Sequence, residues 1–173
     1  LHARVRAAFS SDQRLHAAWI TPVHRLMETA QLHNLKRRCE GRARDGWRDV
    51  VEGAGGAAIM VAAMLTPFLR SGQRRWGVDE ATAARSYPGD ELVPAPTSHW
   101  THGVEIDAPA DAVWPWVAQI GADRGGFYSY QWLENVVGCE VRNAERIHPE
   151  WEVKVGDGLR LHPDMPPLPV VEV

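Results

Sequence analysis

The sequence predicts an α+β protein, and three observations lead to that class. Apolar residues recur at helical spacing in the first part of the 173-residue chain. A strict alternation of apolar and polar residues begins at Trp100, which is typical of a strand. Two more strand-like runs, 155–161 and 168–173, flank a proline-rich turn. Hydrophobic residues make up 45% of the chain and charged residues 24%, which excludes a wholly disordered protein.

The sign of the net charge changes along the chain near Trp76. Residues 1–75 contain 13 basic and 6 acidic side chains, whereas residues 76–173 contain 6 basic and 16 acidic ones. The two parts therefore carry net charges of +7 and −10, which indicates segments with different surroundings. We expect three consecutive regions, listed here: a basic helical segment (1–52), an uncharged hydrophobic helix (53–70) and an acidic domain (74–173).

The basic segment has a helical pattern over residues 3–41, in which Pro22 is expected to separate two helices. A cluster of Lys and Arg follows within 36–48, and a solvated helix face is favoured over contact with phosphate or lipid headgroups. No aromatic interleaving or zinc-finger spacing accompanies the cluster, so we expect no nucleic-acid partner.

Residues 53–69 contain no charged side chain. A helix of that length reaches about 26 Å at ~1.5 Å per residue, against about 30 Å of membrane hydrocarbon. Two interpretations stay open, a membrane anchor and a helix buried against the rest of the protein. Under the first, the chain would be a membrane-tethered interaction protein.

The two cysteines, Cys39 and Cys139, have neither a CxxC partner nor a histidine at metal-ligand spacing. We therefore expect reduced thiols, no metal and a cytoplasmic protein, membrane-associated only if residues 53–69 form an anchor. The sequence begins with Leu1, not Met, and ends in an apolar run. Two interpretations stay open, a fragment of a longer protein, which we expect, and a non-ATG start codon at Leu1 that was translated literally.

The acidic domain has clear local signals. Asp79 is a candidate N-cap for a short helix through Arg85. The strand from Trp100 places four residues on its apolar face, namely Trp100, His102, Val104 and Ile106. Pro109 then marks the start of a helix that ends near Gly121, and Ser129 and Gly138 mark the ends of another.

Several motifs of the acidic domain resemble the SRPBCC (START/polyketide cyclase-like) superfamily. They are, in chain order, residues 75–77, 88–94, 106–109, 113–116, 125–130, 132–135, 146–147 and 149–151. The resemblance covers about residues 74–173 and is closest to an actinobacterial branch, from whose usual pattern Gln131 and residues 142–143 depart. It implies a helix-grip fold, in which a curved antiparallel sheet wraps a long C-terminal helix and two short helices follow the first strand. Because that long helix is not in this sequence, we expect a C-terminally truncated helix-grip domain.

The leading functional hypothesis is the binding of a small hydrophobic or amphipathic ligand in the cavity of that fold. Such ligands need aromatic walls and a few polar groups that set their orientation. The candidate ligand-binding residues are Trp100, His102, Trp116, Phe127, Tyr128, Tyr130, Trp132 and Arg124. Ordinary core packing is the alternative for each of the aromatic residues.

The alternative hypothesis is an enzyme that resembles polyketide cyclases and aromatases. The candidates for acid–base catalysis are His102, Tyr128 and Glu134, with Arg124 as a partner for an oxyanion. No nucleophile elbow, cofactor fingerprint or phosphate loop occurs, so we expect no cofactor. His99 and His102 point to opposite faces of one strand and so cannot share a metal ion.

Overall fold

A computed structural model describes residues 1–7, 14–42, 46–65 and 75–173 of the chain. The described residues form five α-helices and five short β-strands. The protein is therefore of mixed α and β structure with small sheets, compatible with the predicted α+β class.

The described chain divides into two units, and each unit contains two separate stretches of sequence. The first unit comprises Leu1–Thr29 and Ala54–Glu105, and the second comprises Ala30–Gly53 and Ile106–Val173. The three regions expected from the sequence are consecutive, whereas the units interleave. Charge and hydropathy report on consecutive residues and cannot reveal such interleaving.

The first unit contains a three-stranded sheet formed by β1 (His2–Ala7), β2 (Arg75–Trp76) and β3 (Ser98–Gly103). Strand β3 lies in the centre, antiparallel to β1 and parallel to β2. The sheet is thus mixed, whereas the resemblance implied an antiparallel one. Both neighbours of β3 precede it in the sequence.

Strand β1 corrects the prediction of a helix from residue 3 onward. All six of its residues are in register with β3, from His2 opposite Gly103 to Ala7 opposite Ser98. The strand exists because a partner distant in sequence pairs with its main chain, which is a non-local effect that helical periodicity cannot show.

Strand β3 is shorter and more deeply buried than predicted. It ends at Gly103, so that Val104 and Ile106 follow the strand and are only half-buried. Trp100 and His102 are buried as expected, but Thr101 and Gly103 on the opposite face are buried as well, and only His99 on that face is exposed. A central strand whose two faces are covered does not have the polar face that alternation predicts.

Helix α1 (Arg14–Cys39) corrects the expected break at Pro22, because the helix continues through that residue. A proline removes a single main-chain hydrogen bond from a helix. Later turns of α1 bury Leu32 and Leu35, which are each 2% exposed. Burial of this kind stabilises a helix more than local propensity does.

Helix α2 (Gly46–Leu65) includes residues 53–65 of the expected hydrophobic helix and starts seven positions before it. Residues 66–70 of that prediction lie outside the described residues. No helix within the described ranges combines the length and the hydrophobicity that crossing a membrane requires. Gly56 of α2 packs against Leu26 of α1, where any Cβ would overlap the leucine side chain.

Helix α3 (Glu80–Ala84) confirms the predicted N-cap. Oδ1 of Asp79 accepts a hydrogen bond from the main-chain N–H of Thr82 at 2.6 Å. The hydrogen bonds from Thr82 lower the pKa of the Asp79 carboxyl. A residue with a short acceptor side chain at this position is enough to start the helix.

The second unit contains helices α4 (Ala110–Ala118) and α5 (Gln131–Val136) and the antiparallel pair β4 (Gly158–Leu159) and β5 (Leu168–Pro169). These elements confirm the two predicted helices and the strand pair around the proline-rich turn, although the strands are shorter. The cap of α5 is Tyr130 without a side-chain hydrogen bond, so the predicted cap at Ser129 is wrong.

The core of the second unit forms around three buried side chains, those of Leu35, Trp116 and Tyr128. Cys39, Ile120 and Ala144 pack against them. This core therefore joins the end of α1 to α4 and to the loops that follow α4.

Candidate functional site

A buried polar cluster lies between α1 and β3 in the first unit. Oε2 of Glu28 lies 2.7 Å from Nδ1 of His102, and it accepts a hydrogen bond from Nε1 of Trp100 at 3.1 Å. The three residues are between 0% and 6% exposed. The carboxylate of Glu28 thus holds Trp100 and His102 in place, and both are predicted site residues.

His24 is the partly exposed member of the same cluster, with 44% of its side chain accessible to solvent. Its Nε2 lies 3.8 Å from Oε2 of Glu28, and its ring meets the Trp100 ring edge-on at 5.3 Å between centroids. Partial burial lowers the pKa of His24. The electrostatic interaction with Glu28 raises this pKa, and the interaction with His102 lowers it further. Within the described residues, no three His, Cys, Asp or Glu side chains are arranged to hold a metal ion.

Tyr128 and Trp116 pack edge to face in the core of the second unit, with ring centroids 6.0 Å apart. The Tyr128 hydroxyl accepts a hydrogen bond from Nε2 of Gln119 at 2.6 Å, and the guanidinium of Arg38 lies over the ring. Burial raises the pKa of Tyr128. Its φ of 56° is in the left-handed region, where the N–H donates to Oδ1 of Asn143.

The other aromatic candidates are less deeply buried. Phe127 and Tyr130 are half-buried, and Trp132 is exposed. Tyr130 and Trp132 both face α2, because a Cβ on Gly53 would lie 3.1 Å from the Tyr130 ring and 2.7 Å from Nε1 of Trp132. Contact with the main chain at Gly53 positions this pair.

The three candidates for acid–base catalysis do not all belong to the same unit. His102 lies in the first unit, whereas Tyr128 and Glu134 lie in the second. Glu134 is a buried residue of α5, at 3% exposure. The hydroxyl of Tyr128 and Nδ1 of His102 both have partners within their own units.

The second unit also contains an open cleft of about 680 Å³. Its lining residues are Arg124, Arg142, Asn143, Ala144, Glu145, Arg146, His148 and Trp151. Of the residues expected to bind ligand, Arg124 alone lines this cleft. The remaining lining residues come from one segment, 142–151, from which the sequence analysis chose no ligand-binding residue.

A signal for this cleft was present in the charge pattern. Residues 76–173 contain only six basic side chains among sixteen acidic ones, and three of the six line the cleft. Arginines that converge in an otherwise acidic region indicate a local site for an anion. Their spacing alone does not show convergence, because Arg124 and Arg142 are far apart in the sequence.

Hydrogen bonds fix the main chain of the cleft wall. The Gln119 side chain donates to the carbonyl of Arg146 at 3.1 Å and accepts from the N–H of His148 at 2.9 Å. The N–H of Ala144 donates to the carbonyl of Gly125 at 2.9 Å. The arginines that line the cleft therefore extend from a positioned backbone.

The charged groups of the cleft differ in how far they are neutralised. Arg124 lies 3.8 Å from Asp157, at the long limit of an ion pair. Nδ1 of His148 lies 3.0 Å from Glu150, whose pKa is lowered by its own main-chain N–H and by that histidine. The His148 ring stacks on Trp151, with centroids 4.2 Å apart and planes 28° apart.

The first unit has a smaller cleft of about 320 Å³ that contains Arg4. That guanidinium is already engaged, because it pairs with Asp90 at 2.8 Å and donates to the carbonyls of Ala83 and Arg85. It also lies 4.4 Å from the centre of the Tyr87 ring. These contacts hold β1 in place, and the larger cleft is the better candidate for a ligand site.

Comparison with known proteins gave no match: no family model, no curated protein and no solved structure is significantly similar to this chain.

Proposed function

We propose that this chain contains a binding module for a small amphipathic molecule and that the ligand occupies the cleft of the second unit. The observation that carries the proposal is the cleft itself, which combines Arg124, a predicted ligand residue, with the stacked rings of His148 and Trp151. Its volume of about 680 Å³ falls in the range of small-molecule sites, about 300–1,000 Å³.

The two kinds of surface in the cleft match the two ends of such a ligand. The Trp151 ring offers an apolar wall against which hydrocarbon or aromatic groups of a ligand can leave water. The arginine side chains offer charged donors for an acidic group. An amphipathic acid uses both surfaces, whereas a purely apolar ligand would leave the arginines unused.

The order of elements supports a helix-grip domain as the scaffold. Strand β3 is followed by the two short helices α4 and α5 and then by the β4–β5 pair, which is the order that the resemblance implies. We propose on this basis that residues 98–173 correspond to the opening part of such a domain. The candidate ligand residues Trp116 and Tyr128 would then support the site from the core behind it.

Titration with dansyl-labelled undecanoate tests this function, because the probe joins an apolar chain to a carboxylate. The full chain is expected to bind the probe saturably. The Trp151→Ala and Arg124→Gln variants are each expected to bind it about five- to tenfold more weakly, as the loss of one good contact predicts. Lys154→Gln is the matched control, because this exposed residue lies outside the cleft lining.

The proposal fails if binding is not saturable, or if Trp151→Ala binds the probe as tightly as the control Lys154→Gln does. Native mass spectrometry of the protein from its own host provides an independent measurement. A retained small molecule with an acidic group supports the proposal, and chemical conversion of that molecule by the protein would identify an enzyme.

A further inference from the structure

We infer that the cleft of the second unit recognises a doubly negative oxyanion, such as a phosphate monoester or a pair of adjacent carboxylates, mainly through Arg142 and Arg146. This inference rests on the proposed function and specifies the acidic group of the ligand. Three features of the cleft carry it. They are the positive side chains of the lining, the two arginines that form no ion pair within the described residues, and the fixed backbone that bears these arginines.

The charge of the lining sets the charge of the ligand. Three of the lining residues are arginines and one, Glu145, is acidic. Asp157 next to Arg124 and Glu150 next to His148 add negative charge beside the lining, so Arg142 and Arg146 are the two cationic groups on which the inference depends. A group with two negative charges can pair with both of these arginines at once, and electrostatic complementarity of this kind favours the correct ligand over others.

Two of the three arginines are available to such a group. Arg142 and Arg146 are exposed and form no ion pair with any residue in the described part of the chain. Arg124, in contrast, is partly neutralised by Asp157 at 3.8 Å. The planar guanidinium donates two parallel hydrogen bonds, which match the oxygen pairs of phosphate and carboxylate.

The backbone that bears these arginines is held before any ligand arrives. Gln119 bridges the carbonyl of Arg146 and the N–H of His148, and Asn143, next to Arg142, donates to the carbonyl of Ser129 at 3.1 Å. Only the ends of the arginine side chains must become ordered on binding, which lowers the entropic cost.

The test compares ligands that differ in charge but share one aromatic ring. Phenyl phosphate, phthalate and phenyl sulfate are titrated against the full chain by calorimetry at about pH 8, where the phosphate carries two charges and the sulfate one. We expect phenyl phosphate or phthalate to bind about tenfold more tightly than phenyl sulfate. Tighter binding of phenyl phosphate than of phthalate identifies a phosphate ligand, and the reverse order identifies a dicarboxylate.

Variants assign the effect to the two arginines. Arg142→Gln and Arg146→Gln are each expected to remove most of the preference for the doubly charged ligand, whereas Lys154→Gln keeps it. Equal binding of phenyl phosphate, phthalate and phenyl sulfate by the unchanged chain overturns the inference, whether or not any variant folds. Such a result leaves the proposed function standing if dansyl-labelled undecanoate still binds, whereas failure of the dansyl probe as well overturns both.

Discussion

The carboxylate of Glu28 and the imidazole of His102 meet in the interior of the first unit, with Oε2 and Nδ1 2.7 Å apart across 74 positions of sequence. A carboxylate can only accept, so Nδ1 donates, and the same oxygen receives the indole N–H of Trp100. One buried acceptor thus ties helix α1 to the central strand β3. Because both partners are buried, the loss of either one leaves a polar group unsatisfied.

Replacement of Glu28 by Gln is expected to lower the free energy of unfolding by about 2 kcal/mol, since glutamine keeps an acceptor oxygen but loses the charge that strengthens the hydrogen bonds from His102 and Trp100. Urea denaturation at neutral pH measures the change. Glu152→Gln changes an exposed residue that pairs with the exposed Lys154, and it is expected to stay within about 0.5 kcal/mol of the unchanged protein. A loss below about 1 kcal/mol for Glu28→Gln would show that the contact contributes little to stability.

Acidification is expected to weaken the fold partly through His24. The lowered pKa means that the unfolded chain takes up a proton at His24 near its ordinary value of 6.5, whereas the folded protein does so only at lower pH. Stability therefore falls as pH drops below about 6.5. This loss of stability ends once the pH is below the pKa of His24 in the folded protein.

Denaturation of His24→Gln across this pH window checks the effect, and the variant is expected to lose less stability on acidification than the unchanged protein. His99→Gln is the control, because His99 is an exposed residue of β3 and lies outside the Glu28 cluster. Identical pH profiles for His24→Gln and the unchanged protein would contradict the assignment.

Gly77 follows strand β2 and is expected to tolerate no side chain. Its φ is +69°, and a Cβ there would overlap the carbonyl oxygen of Gly103 in the neighbouring strand. Gly77→Ala should therefore cost more than about 2 kcal/mol. Gly55→Ala is the opposite case, because no atom of the described chain lies within 4 Å of the added Cβ on helix α2. The free energy of unfolding of that variant should rise by about 0.5–1 kcal/mol. Thermal melts in which Gly77→Ala is more stable than Gly55→Ala would contradict this prediction.

Gln119 is expected to act on ligand binding from behind the cleft. Gln119→Leu removes the bridge between the carbonyl of Arg146 and the N–H of His148, so both stability and affinity for the dansyl probe should fall, stability by about 2–3 kcal/mol. Tyr128→Phe removes only the hydroxyl that Gln119 also contacts, and it should cost about 1 kcal/mol while binding is retained. Equal effects of the two variants on binding would show that the bridge does not position the cleft.

Local chemistry in the sequence was sufficient for several elements. Asp79 predicted the start of α3, and Pro109 predicted the start of α4. The proline-rich turn likewise predicted the β4–β5 pair. In each case the signal and the element lie within a few residues of each other, so no distant partner was needed.

The remaining features depend on partners far along the chain. Strand β1 forms because β3 pairs with it, and α1 passes through Pro22 while its later turns are buried by residues of α4 and the loop after it. The cleft exists because Arg124 and Arg142 converge from separate segments. Contacts between segments that are distant in the chain produce no periodic pattern of apolar residues in either segment.

The sequence by itself predicted a chain of mixed α and β structure and the short elements of the acidic region. The tertiary structure decided which strands pair, which aromatic rings belong to the core and where three arginines meet. The physical reason is range: caps, turns and amphipathic periodicity act over one or two turns of chain, whereas burial and charge convergence arise only when distant segments pack together.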